Sequence, residues 1–266
     1  MNEILNKNRF FKLVKKEFSE RTPVIIKIAA IFSLLLAGYW LSMLIFNGGP
    51  ASANSRNSYL FLATMITMII APFNLYRNYN HPKKGIDYVL LPASVTEKFL
   101  SMLTNTVIFL PLITFGSILI TDTILATISP KMFPGYIFSA LVDYEKPFEN
   151  IFEALILQFG CIFGNFLFQK NKALKTILSG VGLYIVLAFI LVIMITVVFK
   201  DDFQTMQNMK MTLKVENLSD IDKIQGFESV GTILKGFYYS FMVIFYGIFP
   251  IAFLTGTFYK MKTQQY

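Results

Sequence analysis

One segment of this chain, residues 76–104, holds the residues whose types and spacing best suggest a function. That segment reads YRNYNHPKKGIDYVLLPASVTEKFLSMLT and holds the single histidine, four basic residues and two prolines. Ser94 followed three residues later by Glu97 is the spacing of a helix capping box. The segment offers leucines, charges and hydrogen-bonding groups, so the chemistry it favours is the binding of another molecule.

Motifs for catalysis or for nucleotide binding are missing from the sequence. With one histidine and one cysteine, Cys161, the chain has no HExxH zinc site and no cysteine cluster. It has no phosphate-binding GxxxxGK[ST] loop. We therefore expect no enzyme activity, no bound cofactor and no metal in this chain, and any energy for work has to come from a partner.

The element that must position this segment is a membrane domain. The chain is 55% hydrophobic and 15% charged, with a mean hydropathy of +0.56, whereas soluble domains carry about 25% charged residues. About 20 apolar residues in a helix cross a bilayer core. Six apolar runs of this kind predict an all-α protein with six transmembrane helices, at residues 24–46, 59–76, 103–128, 151–168, 176–199 and 237–259.

Basic residues predict the orientation of these spans. Lysine and arginine are concentrated before the first span, between spans two and three, between spans four and five, and in the tail. By the positive-inside rule both termini are cytoplasmic. Topology and anionic membrane lipids account for the net charge of +8, and no nucleic-acid partner is expected. The first run has no cleavage site, so it is expected to remain as a span.

The predicted single domain, residues 1–266, contains three special segments. Residues 4–22 form an amphipathic interfacial elbow helix that ends where Thr22-Pro23 turns the chain into the bilayer; the alternative is a basic tail that only sets topology. Residues 77–102 form a cytoplasmic loop. Residues 200–236 form an external loop with possible re-entrant helices.

The spans themselves are almost free of ionisable residues. Only Lys27 near one end and Asp122 and Glu153 near the outer interface interrupt them. Proton-coupled transporters and voltage sensors need such groups at depth. The loop at residues 47–58 shows no evident chemistry, Pro111 predicts a kink, and Gly160-x-x-x-Gly164 predicts a close contact, either within the chain or between two copies.

The order of elements, together with residues 87–100, resembles the membrane subunit of type 2 ABC exporters. The segment DYVLLPASVTEKFL is similar to the "LLxLPxS" segment between spans two and three of such permeases, in the LPAS wording of Bacteroidetes-type bacteria. The resemblance implies a permease subunit in a bacterial cytoplasmic (inner) membrane. It also implies an ABC ATPase subunit as partner, which holds the ATP and magnesium.

In that family the loop between spans two and three couples the permease to the ATPase. The resemblance implies this role for Asp87, Leu90, Leu91, Pro92, Ser94, Glu97, Lys98 and Phe99. Leu90, Leu91 and Phe99 would anchor a short rigid helix in a groove of the ATPase, with Glu97 and Lys98 as charges at its rim. The alternative is an ordinary turn followed by the first turn of the third span.

A transport pathway is implied between two permease copies, or between this chain and a similar permease. The resemblance places Thr64, Thr67, Met68, Leu183, Tyr184, Leu187 and Ile190 along it. So apolar a lining suits an amphipathic, lipid-like or drug-like cargo. A membrane scaffold or immunity protein without transport, and an ion-gradient transporter or channel, are the alternatives. The sequence does not specify the cargo, the direction of transport or the choice between homodimer and heterodimer.

Overall fold

A computed structural model of the chain describes residues 5–46, 48–80, 85, 88, 90–141, 147–193, 236 and 238–263. Helices make up 84% of the structure and no strand occurs among these residues, so the predicted all-α class is confirmed. Asp87 and almost all of the predicted loop at residues 200–236 lie outside the described residues.

Seven helices cover the described residues. In chain order they are α1 (Lys7–Ile45), α2 (Ala53–Leu75), α3 (Val95–Ile128), α4 (Ile137–Ala140), α5 (Pro147–Leu167), α6 (Lys172–Ile193) and α7 (Tyr238–Thr263). Five of them, α1, α2, α3, α6 and α7, are long and apolar enough to cross a membrane. The chain therefore has the character of a multi-pass membrane protein.

The chain divides into two compact units. The first unit contains residues 1–173 and 252–266, and the second contains Leu174–Ile251. The residues predicted to bind a partner, from Leu90 to Phe99, all lie in the first unit, and the following paragraphs concern that unit.

Helix α1 contradicts the predicted break at Thr22-Pro23. Asn6 caps the helix by accepting from the Arg9 amide at 3.2 Å. The helix then runs without interruption from Lys7 to Ile45, with Pro23 inside it. A proline removes one backbone hydrogen bond, but helices of membrane proteins tolerate this loss when their neighbours support them. A separate elbow helix over residues 4–22 is therefore wrong, although residues 7–22 are helical as predicted.

Side-chain pairs on both sides of Pro23 show what supports it. The Ser101 hydroxyl donates to Glu17 at 2.8 Å, and farther along Ser33 donates to Ser117 at 3.3 Å, with the same sequence separation of 84 residues. When residue pairs along two helices keep the same sequence separation, the two helices run parallel to each other. Helix α1 thus runs beside α3, before Pro23 as well as after it.

Helix α2 runs antiparallel to α1. The Tyr59 hydroxyl donates to the carbonyl of Phe32 at 2.7 Å, whereas Tyr76, at the other end, donates to Glu17 at 2.8 Å. The last turns of α7 lie at the same end of this unit as the start of α3, because the ring centroids of Phe258 and Phe99 are 5.7 Å apart. The start of α1, the end of α2, the start of α3 and the last turns of α7 thus share one end.

Helix α5 joins this bundle through small and amide residues. Asn165 donates to the carbonyl of Tyr76 at 3.1 Å, and Asn80 donates to the carbonyls of Asn165, Phe166 and Phe168 at 2.9–3.2 Å. A Cβ atom on Gly160 would lie 3.4 Å from the ring of Phe253 in α7. Of the two predicted roles for Gly160, the structure displays the contact within the chain.

Pro111 does not simply kink α3; it follows a π-helical turn. Residues Thr104–Phe109 adopt this wider turn, in which the Leu110 amide donates to Asn105, five residues back. In that register the carbonyl of Thr106 would be paired with the nitrogen of Pro111, which carries no hydrogen. Gln158 of α5 donates to this carbonyl instead, at 2.9 Å. The wide turn and the amide that completes it therefore bind α5 to α3.

Candidate docking site at the start of α3

The turn before α3 carries the residues that the sequence singled out. Leu90 is 73% exposed; Pro92 is exposed, and Leu91 is half-buried. The backbone folds tightly here, with the Ala93 amide donating to the carbonyl of Leu91 at 2.7 Å. Leu90 and Pro92 are therefore exposed at the end of the first unit that holds the start of α1 and the start of α3.

The capping box predicted from Ser94 and Glu97 is confirmed. The Glu97 amide donates to the Ser94 hydroxyl oxygen at 3.1 Å, and the Ser94 amide donates to the Glu97 carboxylate at 2.8 Å. Such a box satisfies two backbone amides that would otherwise lack partners at the start of a helix. The helix consequently begins at Val95, one residue after the cap.

The expectation that Glu97 and Lys98 are exposed rim charges is wrong. They are 0% and 1% exposed. The Glu97 carboxylate accepts from the Asn6 amide at 2.8 Å and from the Arg9 side chain at 2.7 Å, both at the start of α1. A buried charge is tolerated when it is paired and hydrogen-bonded, and Glu97 meets both conditions. Its observed contacts join α1 to α3.

The helix that starts at Ser94 also differs from the short separate helix expected. It passes through the π-helical turn into the apolar part of α3 and ends only at Ile128. This geometry matches the alternative interpretation, a turn followed by the first turns of the third span. Phe99 is half-buried and lines an apolar groove of about 630 Å³ with residues of α7. Among the described residues of the predicted segment at 87–100, the exposed ones are thus Leu90 and Pro92 in the turn.

One helical turn farther along, a second carboxylate is buried among neutral donors. Glu17 of α1 is 1% exposed, and its Oε2 atom accepts from Tyr76 and Ser101 at 2.8 Å and from Asn105 at 3.3 Å. The Arg21 guanidinium lies over the ring of Tyr76, 3.8 Å from its centroid. Glu17 therefore connects α1 with the end of α2 and with α3.

The tyrosines of this cluster act as hydrogen-bond donors. Burial raises the pKa of the Tyr76 phenol well above its usual value, and the nearby Glu17 carboxylate raises that pKa further. Burial, followed by the same carboxylate, also raises the pKa of Tyr88. Both phenols therefore keep their protons, and the Tyr76 hydroxyl donates to Glu17 throughout the physiological range.

At the opposite end of the first unit, a buried ion pair connects α2 with α3. Arg56 and Asp122, each 1% exposed, form a direct hydrogen-bonded ion pair between α2 and α3. Arg56 also donates to the carbonyls of Pro134 and Gly135 at 2.9 and 2.7 Å, and Asp122 accepts from the Ile137 amide at 3.1 Å. The predicted loop at residues 47–58, which showed no evident chemistry in the sequence, thus contains Arg56, the basic partner of a buried ion pair.

Sequence reasoning missed Glu17, Arg56 and Asp122 as partners. A signal for Glu17 was present, because Leu13, Val14 and Glu17 lie on one face of α1, and an acid on an otherwise apolar face needs a donor. For Arg56 and Asp122 the signal was weaker. Arg56 is the basic residue of the predicted loop at residues 47–58, and Asp122 is the acid near the outer end of the predicted third span. The two residues are 66 positions apart in the sequence.

The residues predicted to line a pathway fall in both units. Thr64, Thr67 and Met68 are buried in α2, and the two threonine hydroxyls donate to carbonyls of their own helix at 2.7–2.8 Å. Leu183, Tyr184, Leu187 and Ile190 belong to α6 in the second unit. Within this single chain the α2 residues serve as packing, and a role along a pathway stays a prediction.

No protein-family model, no curated protein and no solved structure matches this chain.

Proposed function

We propose that this chain is the membrane subunit of an ATP-driven transporter, an exporter of the type 2 ABC class, that works with a separate ATPase subunit. The observation that carries the proposal is the turn at Leu90 and Pro92. It presents an apolar side chain outward, 73% exposed, directly before a capped helix that continues into a span. A force on this turn would be transmitted to α3, because that helix begins at Val95, directly after its cap.

The proposal assigns the chain six spans, with both termini in the cytoplasm of a bacterial cell. The sixth span is α5, Pro147–Leu167, whose apolar part, Ile151–Leu167, is shorter than the five helices that are long enough to cross a membrane. An even number of spans agrees with the position of Asn6 and Phe258, which both contact the start of α3. Under the positive-inside rule this end of the first unit faces the cytoplasm of the inner membrane.

In this proposal two permease copies, or this chain and a similar one, enclose a pathway for an amphipathic, lipid-like or drug-like cargo. ATP and magnesium are bound by the ATPase subunits. Closure of these subunits would press on residues 85–100 and shift the spans between inward-open and outward-open arrangements. Leu90 would be the main apolar contact with the ATPase. Glu97, which is buried, would hold the start of α1 and the start of α3 together.

An ion-gradient transporter is less well supported. Each of the three buried carboxylates among the described residues has several hydrogen-bond donors: Asp122 has Arg56 and Ile137, Glu97 has Asn6 and Arg9, and Glu17 has Tyr76, Ser101 and Asn105. Coupling ions or protons requires groups that exchange their ligand during the cycle. These contacts favour a structural role, so the energy of transport is assigned to the partner.

Co-purification tests the proposal. The tagged chain is extracted from its native membrane in mild detergent, and bound subunits are identified by sequence and by magnesium-dependent ATP hydrolysis. We expect a stoichiometric ATPase subunit. Leu90→Asp should lower its recovery at least tenfold, because one buried leucine contact and its desolvation are lost.

Phe138→Asp is the matched control. Phe138 is 71% exposed, similar to Leu90, but it lies in α4 near Arg56, at the other end of the first unit. Recovery of the ATPase with this variant should equal that of the unchanged chain. Purification of the unchanged chain without any ATPase subunit would refute the proposal.

A further inference from the structure

We propose that the apolar groove between the start of α3 and the last turns of α7 binds an acyl chain of an anionic phospholipid, whose phosphate lies at Lys260 and Lys262. We call it the lipid groove and define it by its lining residues: Phe99, Leu254, Thr255, Gly256, Phe258 and Tyr259. All of them belong to the first unit. The inference goes beyond the proposed function, because it requires no ATPase and involves none of the residues predicted to line a pathway, which lie in α2 and α6.

The lipid groove is formed by closely packed parts of the chain. On the inner face of α7, Met261 is 0% exposed and belongs to the apolar core of the first unit. A Cβ atom on Gly256 would lie 2.7 Å from the ring of Phe163, so α7 closely approaches α5. The groove has a volume of about 630 Å³, and small-molecule sites span about 300–1,000 Å³. Because its walls are already in place, a ligand does not have to order them on binding.

Basic residues continue the groove toward the end of α7. Lys262 follows Tyr259 by three residues and Phe258 by four, so it lies on the same face of the helix. A long side chain on a helix leans over the preceding turn, which is here the turn that lines the groove. Lys262 is exposed and Lys260 is half-buried. The groove therefore ends beside two ammonium groups, which are suitable partners for a phosphate.

The charges around the lipid groove favour an anionic ligand. Residues 254–263 contain no acid. In the first helical turns of α3, Val95–Leu103, the single acid is Glu97, which is 0% exposed and paired with Arg9. Basic pockets between membrane helices bind the headgroups of anionic lipids. An apolar groove with a basic end thus matches an acyl chain that is joined to a phosphate.

The length of α7 places the two lysines at the membrane surface. Its 26 residues, Tyr238–Thr263, make a helix about 39 Å long, and the hydrocarbon core is about 30 Å thick. Tyr259 is 65% exposed, and tyrosine is enriched at the level of the headgroups. The groove therefore lies at the depth of acyl chains and Lys260 and Lys262 at the depth of phosphates.

A second copy of the chain fits this groove less well than a phospholipid does. In a two-fold contact both copies contribute the same surface, so the lysines of both copies would meet where residues 254–263 offer no acid. Like charges brought together oppose binding. A phospholipid supplies the negative charge together with the apolar chain.

Competition between two lipids tests the charge of the ligand. The purified chain in uncharged detergent is incubated with equal amounts of phosphatidylglycerol and phosphatidylcholine, and the bound lipids are counted by native mass spectrometry. We expect phosphatidylglycerol to bind with a preference of about tenfold. Lys262→Ala should lower its affinity about fivefold, the contribution of one lysine near an anionic headgroup, and leave phosphatidylcholine unchanged. Lys131→Ala, which removes an exposed lysine outside the groove, is the matched control.

Filling the groove tests the position of the site. Thr255→Trp places an indole ring in the groove and should remove the bound phosphatidylglycerol. Leu112→Trp, at a position of α3 that is 63% exposed and outside the groove, should retain it. Both variants are compared by elution and helical content with the unchanged chain. If Thr255→Trp does not fold, Lys262→Ala, which changes an exposed side chain, still decides the question.

Three results would overturn the inference. The first is an equal affinity of phosphatidylglycerol for Lys262→Ala and for the unchanged chain. The second is full retention of this lipid by folded Thr255→Trp. The third is a dimer of the unchanged chain that Thr255→Trp alone converts to a monomer, because a second copy would then occupy the groove. None of these measurements includes an ATPase, so their failure leaves the proposed function standing.

Discussion

The two ends of the first unit bury charge in different ways. At one end Arg56 and Asp122 face each other directly, and both are 1% exposed. At the other end Glu17 is held by two hydroxyls and an amide, and Glu97 by two backbone amides and one arginine. Separating Arg56 from Asp122 leaves two bare buried charges. The ion pair of Glu97 is with an Arg9 side chain that is 41% exposed, and the neutral donors of Glu17 can replace one another at smaller cost. The comparison identifies a fixed end and an adjustable end, and the adjustable one carries the proposed docking surface.

The largest expected effect concerns the fixed end. Arg56→Met leaves Asp122 as an uncompensated buried charge and should lower the free energy of unfolding by about 3–5 kcal/mol. Unfolding in detergent by denaturant, followed through the fluorescence of the single tryptophan, Trp40, measures it. The double variant Arg56→Met with Asp122→Leu should regain more than half of the loss. A double variant as unstable as the single one would contradict the ion-pair interpretation.

The next effect concerns Glu17 at the adjustable end. Glu17→Ala removes the acceptor shared by Tyr76, Ser101 and Asn105, and we expect a loss of about 2 kcal/mol in the same measurement. Glu17→Gln retains an acceptor and should lose about half as much. Glu20→Ala serves as the control. If Glu17→Ala lowers the free energy of unfolding as much as Arg56→Met does, or more, the distinction between the two ends disappears.

Removal of the helix cap should have a smaller effect. Ser94→Ala leaves the Glu97 amide without its acceptor and should cost about 1 kcal/mol. Hydrogen exchange should quicken over the first turn of α3 and remain unchanged in α2. Ser58→Ala, which removes an exposed hydroxyl bonded only to its own helix, is the matched substitution. Equal effects of the two serines would argue against a cap at Ser94.

The smallest effect lies between the two ends, at the π-helical turn. Gln158→Leu deprives the Thr106 carbonyl of its donor, and such bonds between membrane helices average about 0.6 kcal/mol. In a Pro111→Ala background the new backbone N–H can donate to this carbonyl, so Gln158→Leu should then have no effect. The double-mutant cycle is measured by the same unfolding experiment, and purely additive losses would be inconsistent with this geometry.

Local features of this chain were predictable from its sequence. Apolar runs longer than a bilayer crossing gave helices at the expected places, since a backbone in lipid has to satisfy its own hydrogen bonds. The Ser94 and Glu97 spacing gave the cap, because both partners lie within one helical turn. The rule that proline ends a helix failed at Pro23, where the neighbouring α3 supports the chain on both sides.

Contacts between distant residues were not predictable. Nothing near Glu97 in the sequence indicates that its carboxylate is taken by Asn6 and Arg9, 91 and 88 residues earlier. A charged residue beside a turn is normally exposed, and only those donors reverse that expectation. Glu17 and Asp122 depend in the same way on residues brought by other helices, which a single sequence does not reveal.

The parallel arrangement of α1 and α3 has a consequence for the synthesis of the protein. Asn6 emerges from the ribosome 91 residues before Glu97, which corresponds to roughly 5–18 s at ordinary rates of translation. Until then the Asn6 amide and the Arg9 side chain lack the carboxylate that accepts from them. The contacts at the start of α1 are therefore completed only after the first turn of α3 has been made, although α1 precedes α3 in the chain.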